Sequence, residues 1–266
     1  MQSLIEVLKN SFFVLKKEPK LFFPKIFLSV LWGVFLLFYA GFTRVLLDKV
    51  SASSFDSLYL NELLPTFYLL LVFFVVVFVI DTIINSAYPL MVGKYLKKEN
   101  FSVFGSIKTV TENFWKIFIP VAVSLFAGIV VLLPFILLFS FFILQKNFFP
   151  ALILGFIVLC ISILVSVLFY FIYPVASIER KGLKSVVSAV VRAKNNLKKA
   201  LFGTLVFSFL SIISALIVFF SEADAAGVFA VTIFVALRII TAVLATYSMV
   251  LNPLLYFSTG SELNEL

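Results

Sequence analysis

Between Lys116 and Lys146 the chain reads IFIPVAVSLFAGIVVLLPFILLFSFFILQ (Ile117–Gln145), and past Lys146 it resumes as NFFPALILGFIVLCISILVSVLFYFIYPVASI (Asn147–Ile178). Neither run holds a charge. A helix needs about 20 apolar residues to cross roughly 30 Å of hydrocarbon. In lipid every backbone N–H and C=O must be satisfied within the segment, so runs of this kind are helical. Two of them joined through a single lysine predict a membrane hairpin.

Outward from this hairpin the pattern repeats. Leu63–Ile80, Ala200–Ser221 and Ala225–Leu237 are also uncharged, and the whole chain is 63% hydrophobic and 13% charged, with a mean hydropathy of +1.18. Soluble domains run nearer half apolar and a quarter charged. The expected fold class is all-α: a polytopic membrane protein of about six transmembrane helices in a single domain, residues 1–266. The spans are expected near 21–41, 66–92, 117–144, 150–174, 200–221 and 226–252. No removable signal peptide is expected, because the charged, amphipathic first residues show no small-residue cleavage site.

Charge sets the expected orientation. Lys9, Lys16, Lys17, Lys20 and Lys25 precede or open the first span, and Lys94, Lys97, Lys98, Lys108 and Lys116 separate the second from the third. Arg180, Lys181, Lys184, Arg192, Lys194, Lys198 and Lys199 separate the fourth from the fifth, whereas the other side has Arg44, Lys49 and Lys146. Positive-inside bias therefore predicts a cell-membrane protein with both termini cytoplasmic.

The basic connections have helical periodicity of their own. Leu4, Leu8, Ser11 and Leu15 make one apolar stripe; Val103, Ile107, Val110 and Phe114 make a second, opposed by Ser102, Ser106, Thr109 and Asn113. Leu183, Val186, Val187 and Val190 make a third, opposed by Ser185, Ser188, Arg192 and Asn195. Three cytoplasmic amphipathic helices lying in the membrane interface are expected. They expose an internal repeat. Lys20-Leu-Phe-Phe-Pro24 matches Lys116-Ile-Phe-Ile-Pro120, and Lys199-Ala-Leu-Phe-Gly203 stands in the same place a third time. Tyr88-Pro89, Tyr173-Pro174 and Asn252-Pro253 recur near the ends of the even spans. The expected repeat units are approximately 1–92, 93–174 and 175–257.

At Tyr173-Pro-Val-Ala-Ser-Ile-Glu179-Arg-Lys-Gly182-Leu-Lys-Ser-Val the chain resembles a group of uncharacterised prokaryotic six-span membrane proteins. These are similar to the membrane domain attached to some bacterial glycerophosphodiester phosphodiesterases. In that group a proline ends a span, and a Glu and a Gly then introduce an amphipathic helix leading into the next span. The resemblance implies a fold and a location. It implies no phosphodiesterase activity, which belongs to a separate soluble domain.

Chemistry has few footholds. Histidine is absent and Cys160 is the single cysteine, so the commonest general base and a thiol metal cluster are both missing. No catalytic residue, metal site or cofactor is expected, and the chain is not expected to be an enzyme. The net charge of +8 tracks the membrane face, so no nucleic-acid partner is expected either. Two charges interrupt spans, Asp81 and Arg238, and a charge at depth seeks a partner. A structural ion pair between them is one expectation; local satisfaction by Asn85, hydroxyls or snorkelling is a second, and an ion or proton pathway a third, with Asn85, Tyr88, Thr241, Ser248 and Asn252 as polar lining. Ser29-x-x-x-Gly33 and Ser124-x-x-x-Gly128 mark seams where helices approach closely, as do Thr204, Ser208 and Ser211. Lys181, Lys184, Arg192, Lys194, Lys198 and Lys199 are candidate contacts for anionic lipid. The expected partners are membrane lipids, with a protein partner or a second copy of the chain left open. Two functions fit: a non-enzymatic scaffold, assembly partner or lipid-organising factor, or a carrier or channel for a small or amphipathic solute. A sealed, lipid-filled arrangement of the repeats would favour the first, and a continuous polar cavity reaching both sides the second.

Overall fold

The computed structural model describes residues 3–51, 57–221 and 228–259. Among them are ten α-helices and no strand: α1 Leu4–Lys17, α2 Phe22–Ser51, α3 Ser57–Leu96, α4 Val103–Glu112, α5 Phe114–Leu144, α6 Phe148–Leu168, α7 Ile172–Glu179, α8 Lys184–Asn195, α9 Leu197–Ser221 and α10 Val228–Phe257. Six segments are long and apolar enough to cross a membrane: Pro19–Val45, Leu63–Leu96, Phe114–Leu144, Phe148–Glu179, Leu197–Ile217 and Ile233–Phe257. All six coincide with expected spans. The connection at Phe42–Pro65 is largely helix, because α2 continues to Ser51 and α3 begins at Ser57.

The spans form three hairpins, α2–α3, α5–α6 and α9–α10, packed in a ring. The second arm of each hairpin meets the first arm of the next: α3 on α5, α6 on α9, and α10 back on α2. The three short helices follow the same order. α1 packs on α10, α4 on α3, and α8 on α7, each thus resting against the hairpin before it in the cycle.

Local chemistry starts these helices. Ser3 and Glu6 close a capping box on α1, with Glu6 N–H donating to Ser3 Oγ at 3.2 Å and Ser3 N–H to Glu6 Oε2 at 2.7 Å. Ser102 caps α4 through Gly105 N–H. The faces match the expected stripes only in part: Ser11 and Leu15 of α1 and Val110 of α4 are buried. Ser106 and Ser185, expected on the polar faces, are buried, alongside Ser11, Ala189 and Ala193. Phe12, Phe104, Leu183 and Val187 point outward instead. Small side chains at these positions let α4 and α8 lie close against the hairpin ends.

At each elbow, where a short helix meets a span, burial recurs in the same register. Leu21, Ile117 and Ala200 are almost fully buried, and each follows the elbow lysine. Lys20 Nζ donates to the carbonyl of Phe101 at 3.1 Å, and Lys199 Nζ to that of Ser258 at 2.6 Å. Ser258 directly follows α10, and Phe101 lies in the connection between α3 and α4.

The fourth span departs from expectation. It is not one helix: it breaks at Phe169–Phe171 between α6 and α7. Pro174 has no N–H for the carbonyl four residues earlier, Tyr170, and its ring crowds that carbonyl. Asn252 Nδ2 donates to Tyr170 O at 2.6 Å instead. The neighbouring hairpin thus satisfies what the proline released.

Candidate functional site

Asp81 sits on α3 one turn before Asn85, and both side chains turn into the ring. Asn85 Nδ2 donates to Asp81 Oδ2 at 2.9 Å. The cation that meets this carboxylate is Lys25 of α2, with Nζ 3.6 Å from Oδ1 and side-chain exposures of 8% and 20%. The expected Asp81–Arg238 pair is therefore corrected to Lys25–Asp81. Arg238, on α10, lies against a point farther along α2. Its guanidinium stands over the Phe234 ring at 4.9 Å and beside Gly33, two turns beyond Lys25. Ser29 Oγ donates to Arg238 O at 2.9 Å, so the Ser29–Gly33 seam is where α2 receives α10.

Lys25 and Asp81 lie on the wall of a half-open cavity of about 620 Å³ between the hairpins. Asn85, Thr241, Ser248 and Asn252, all expected as polar lining, line it, together with Ser29, Thr204, Tyr170 and Tyr173. Tyr88 does not. Its hydroxyl donates to Leu21 O at 2.7 Å, one turn nearer the elbow, and closes the space beneath. Asn85 Nδ2 also lies 3.4 Å from the Tyr173 hydroxyl, joining the first hairpin to the second. The elbow end of the cavity is thus polar. Farther out, Trp32, Leu125, Phe207 and Leu210 make an apolar wall in which Ser211 and Ser214 are set. At 1.5 Å per residue these lie roughly 15–25 Å from the starts of their helices.

The third basic elbow is less uniform than its sequence. Glu179, 2% exposed, receives Arg192 Nη2 and Lys181 Nζ, each at 2.9 Å. Arg192 also stacks over Tyr256 at 4.6 Å. Lys199 is buried on Ser258. Lys184, Lys194 and Lys198 remain exposed. Half of the six candidate lipid contacts therefore have partners within the protein: Lys181 and Arg192 on Glu179, and Lys199 of α9 on Ser258.

Lys25 was legible as a residue but not as the partner, because it sits at the membrane edge by sequence. Its depth comes from Leu21 being buried beneath it. Among the described residues no group of acidic, cysteine or histidine side chains could hold a metal ion. The chain matches no protein-family model, no curated protein and no solved structure. Function is therefore argued from the cavity.

Proposed function

We propose that this chain is a non-enzymatic, multi-pass membrane protein that binds an amphipathic molecule inside the ring of three hairpins, as a carrier does. The observation that carries this is the cavity itself: a polar end around Lys25, Asp81, Asn85 and Asn252, and an apolar wall around Trp32 and Leu210. Its volume of about 620 Å³ falls in the range of pockets that enclose a small organic ligand. Lipid-filled packing without such a space would have favoured a scaffold.

The elbows and both termini belong on the cytoplasmic side by the distribution of Lys and Arg. The cyclic packing of hairpins and short helices supports a threefold repeat. The outward bulk at Phe12, Phe104 and Val187 supports an interfacial position for α1, α4 and α8. A bound molecule with its head toward the elbows would be oriented as a lipid of the cytoplasmic leaflet is.

Native mass spectrometry of the protein extracted from its membrane tests the reading. Ala245 lines the cavity, and Ala245→Phe fills space there. A ligand that stays bound to the original chain and is lost from the variant is the expected result. The same ligand retained by both would place binding elsewhere and overturn the proposal.

A further inference from the structure

The cavity carries one cation and one carboxylate among the described residues, Lys25 and Asp81, and they meet each other. A charged head entering this space would find no unpaired charge to receive it, because the cation and the carboxylate already neutralise each other, and burying it there without a counter-charge is unfavourable. The head group is constrained further by three oxygens. Asn85 Oδ1, Asn252 Oδ1 and Thr204 Oγ1 belong to cavity-lining residues, are buried, and have no hydrogen-bond partner. The residues themselves are 4%, 9% and 1% exposed.

The orientation of both amides is settled by their neighbours. Asn85 presents nitrogen to the Asp81 carboxylate, and Asn252 presents nitrogen to the Tyr170 carbonyl. Both neighbours can only accept at those contacts, so in each amide the oxygen is the atom left over. An amide oxygen can only accept, and a buried acceptor without a donor is unfavourable by about 1–3 kcal/mol. All three residues line the cavity, and the soft terminal amide torsion is the freedom by which the two amide oxygens would reach a donor there.

The geometry points to an amphipath whose head is uncharged and rich in hydroxyl donors, of the polyol or monoacylglycerol type, seated between Asn85, Asn252 and Thr204 with its chain along Trp32 and Leu210. This rests on the binding reading above and names the head group.

The chain has two tryptophans. Trp115 is 68% exposed, so Trp115→Phe leaves Trp32 as the reporter in the cavity. In detergent, its fluorescence is titrated with four probes sharing one brominated alkyl chain: a monoacylglycerol, a carboxylate, a primary ammonium and the plain bromoalkane. Saturable quenching by the monoacylglycerol at about tenfold lower concentration than by either charged probe is expected, the scale of one recovered hydrogen bond. Thr204→Val keeps the shape, removes the hydroxyl and should shrink that preference severalfold, while Thr204→Ser restores it. Equal binding of all heads, or preference for a charged one, overturns the head-group inference and leaves the binding reading standing. No saturable quenching by any of the four overturns the binding reading instead. Preference for the monoacylglycerol that survives in Thr204→Val and in Asn252→Leu overturns the assignment to these oxygens.

Discussion

The elbow half of the protein and its outer half are built on different physics. Near the elbows Leu21, Tyr88, Met91, Phe171, Val175, Leu255 and Tyr256 are buried to 0% exposure. Side-chain bonds to carbonyls join the elements there: Tyr88 to Leu21, Tyr247 to Leu8, Asn252 to Tyr170, and Lys199 to Ser258. In the outer half Leu137, Phe141, Phe149 and Leu152 are 51–77% exposed, a surface suited to lipid. The cavity lies where one regime passes into the other. The polar groups that need partners cluster at the tightly packed end, because only there are neighbours close enough to supply them.

The largest test of this contrast is the Lys25–Asp81 pair, the one ion pair of the cavity wall among the described residues. Lys25→Met and Asp81→Leu should each lower stability in detergent by about 3 kcal/mol, since each strands a buried charge. The value sits at the low end of the range for buried pairs because Asp81 is one-fifth exposed. The double variant should recover most of that loss. Thermal unfolding of the four proteins measures the cycle, and additive losses would mean that the two side chains act independently.

A smaller effect separates two glycines. A methyl at Gly203, in the elbow half, would fall within the Tyr170 ring, while one at Gly33 would meet Phe234 Cζ at 3.0 Å and Arg238 Nε at 3.1 Å. The overlap with Tyr170 involves the ring itself and is by far the deeper, whereas Phe234 and Arg238 need yield only a few tenths of an ångström. Gly203→Ala should therefore destabilise by about 1–3 kcal/mol, the usual range for overpacking, and Gly33→Ala by less. Equal losses would erase the distinction between a rigid half and a yielding one.

The helical class, the six spans and the polar stripe of α10 were legible because long uncharged runs admit one solution in lipid. Four of the five expected lining residues reach the cavity for the same reason: Asn85, Thr241, Ser248 and Asn252 recur at helical spacing on inward faces. The ion pair was not legible. Periodicity gives the face of a helix but not its level against a neighbour, and Lys25 meets Asp81 because Tyr88 sits under Leu21 and sets that level. The short helices were legible only in part: Ser11, Leu15 and Val110 of the apolar stripes are buried, but so are Ser106 and Ser185 from the polar sides, because close packing also admits small side chains. The break at Phe169–Phe171 was hidden because Pro89 and Pro253 carry the same signal and remain inside continuous helices.

The smallest expected stability effect belongs to the third elbow, and it divides residues that look alike in sequence. Lys199 is 6% exposed and donates to Ser258 O, while Lys184, Lys194 and Lys198 are exposed. Neutralising the exposed three to Gln removes no side-chain bond described for them, so unfolding should shift by less than about 0.5 kcal/mol apiece. Their role, if the elbows face the cytoplasmic leaflet, is electrostatic: each lysine near an anionic surface contributes about 1 kcal/mol of attraction. Lys199→Gln should do the reverse, lowering stability by freeing a helix-terminal carbonyl while leaving lipid attraction nearly unchanged. A cysteine at position 194, in a chain where Cys160 is Ala, first checks that the elbow reacts from the cytoplasmic side. Native mass spectrometry at rising salt then counts anionic lipids on each variant. Fewer lipids and weaker salt sensitivity are expected for the triple variant alone. The same loss from Lys199→Gln would mean that burial does not separate these lysines, and an unchanged lipid count in the triple variant would leave the exposed lysines a role only in orienting the chain.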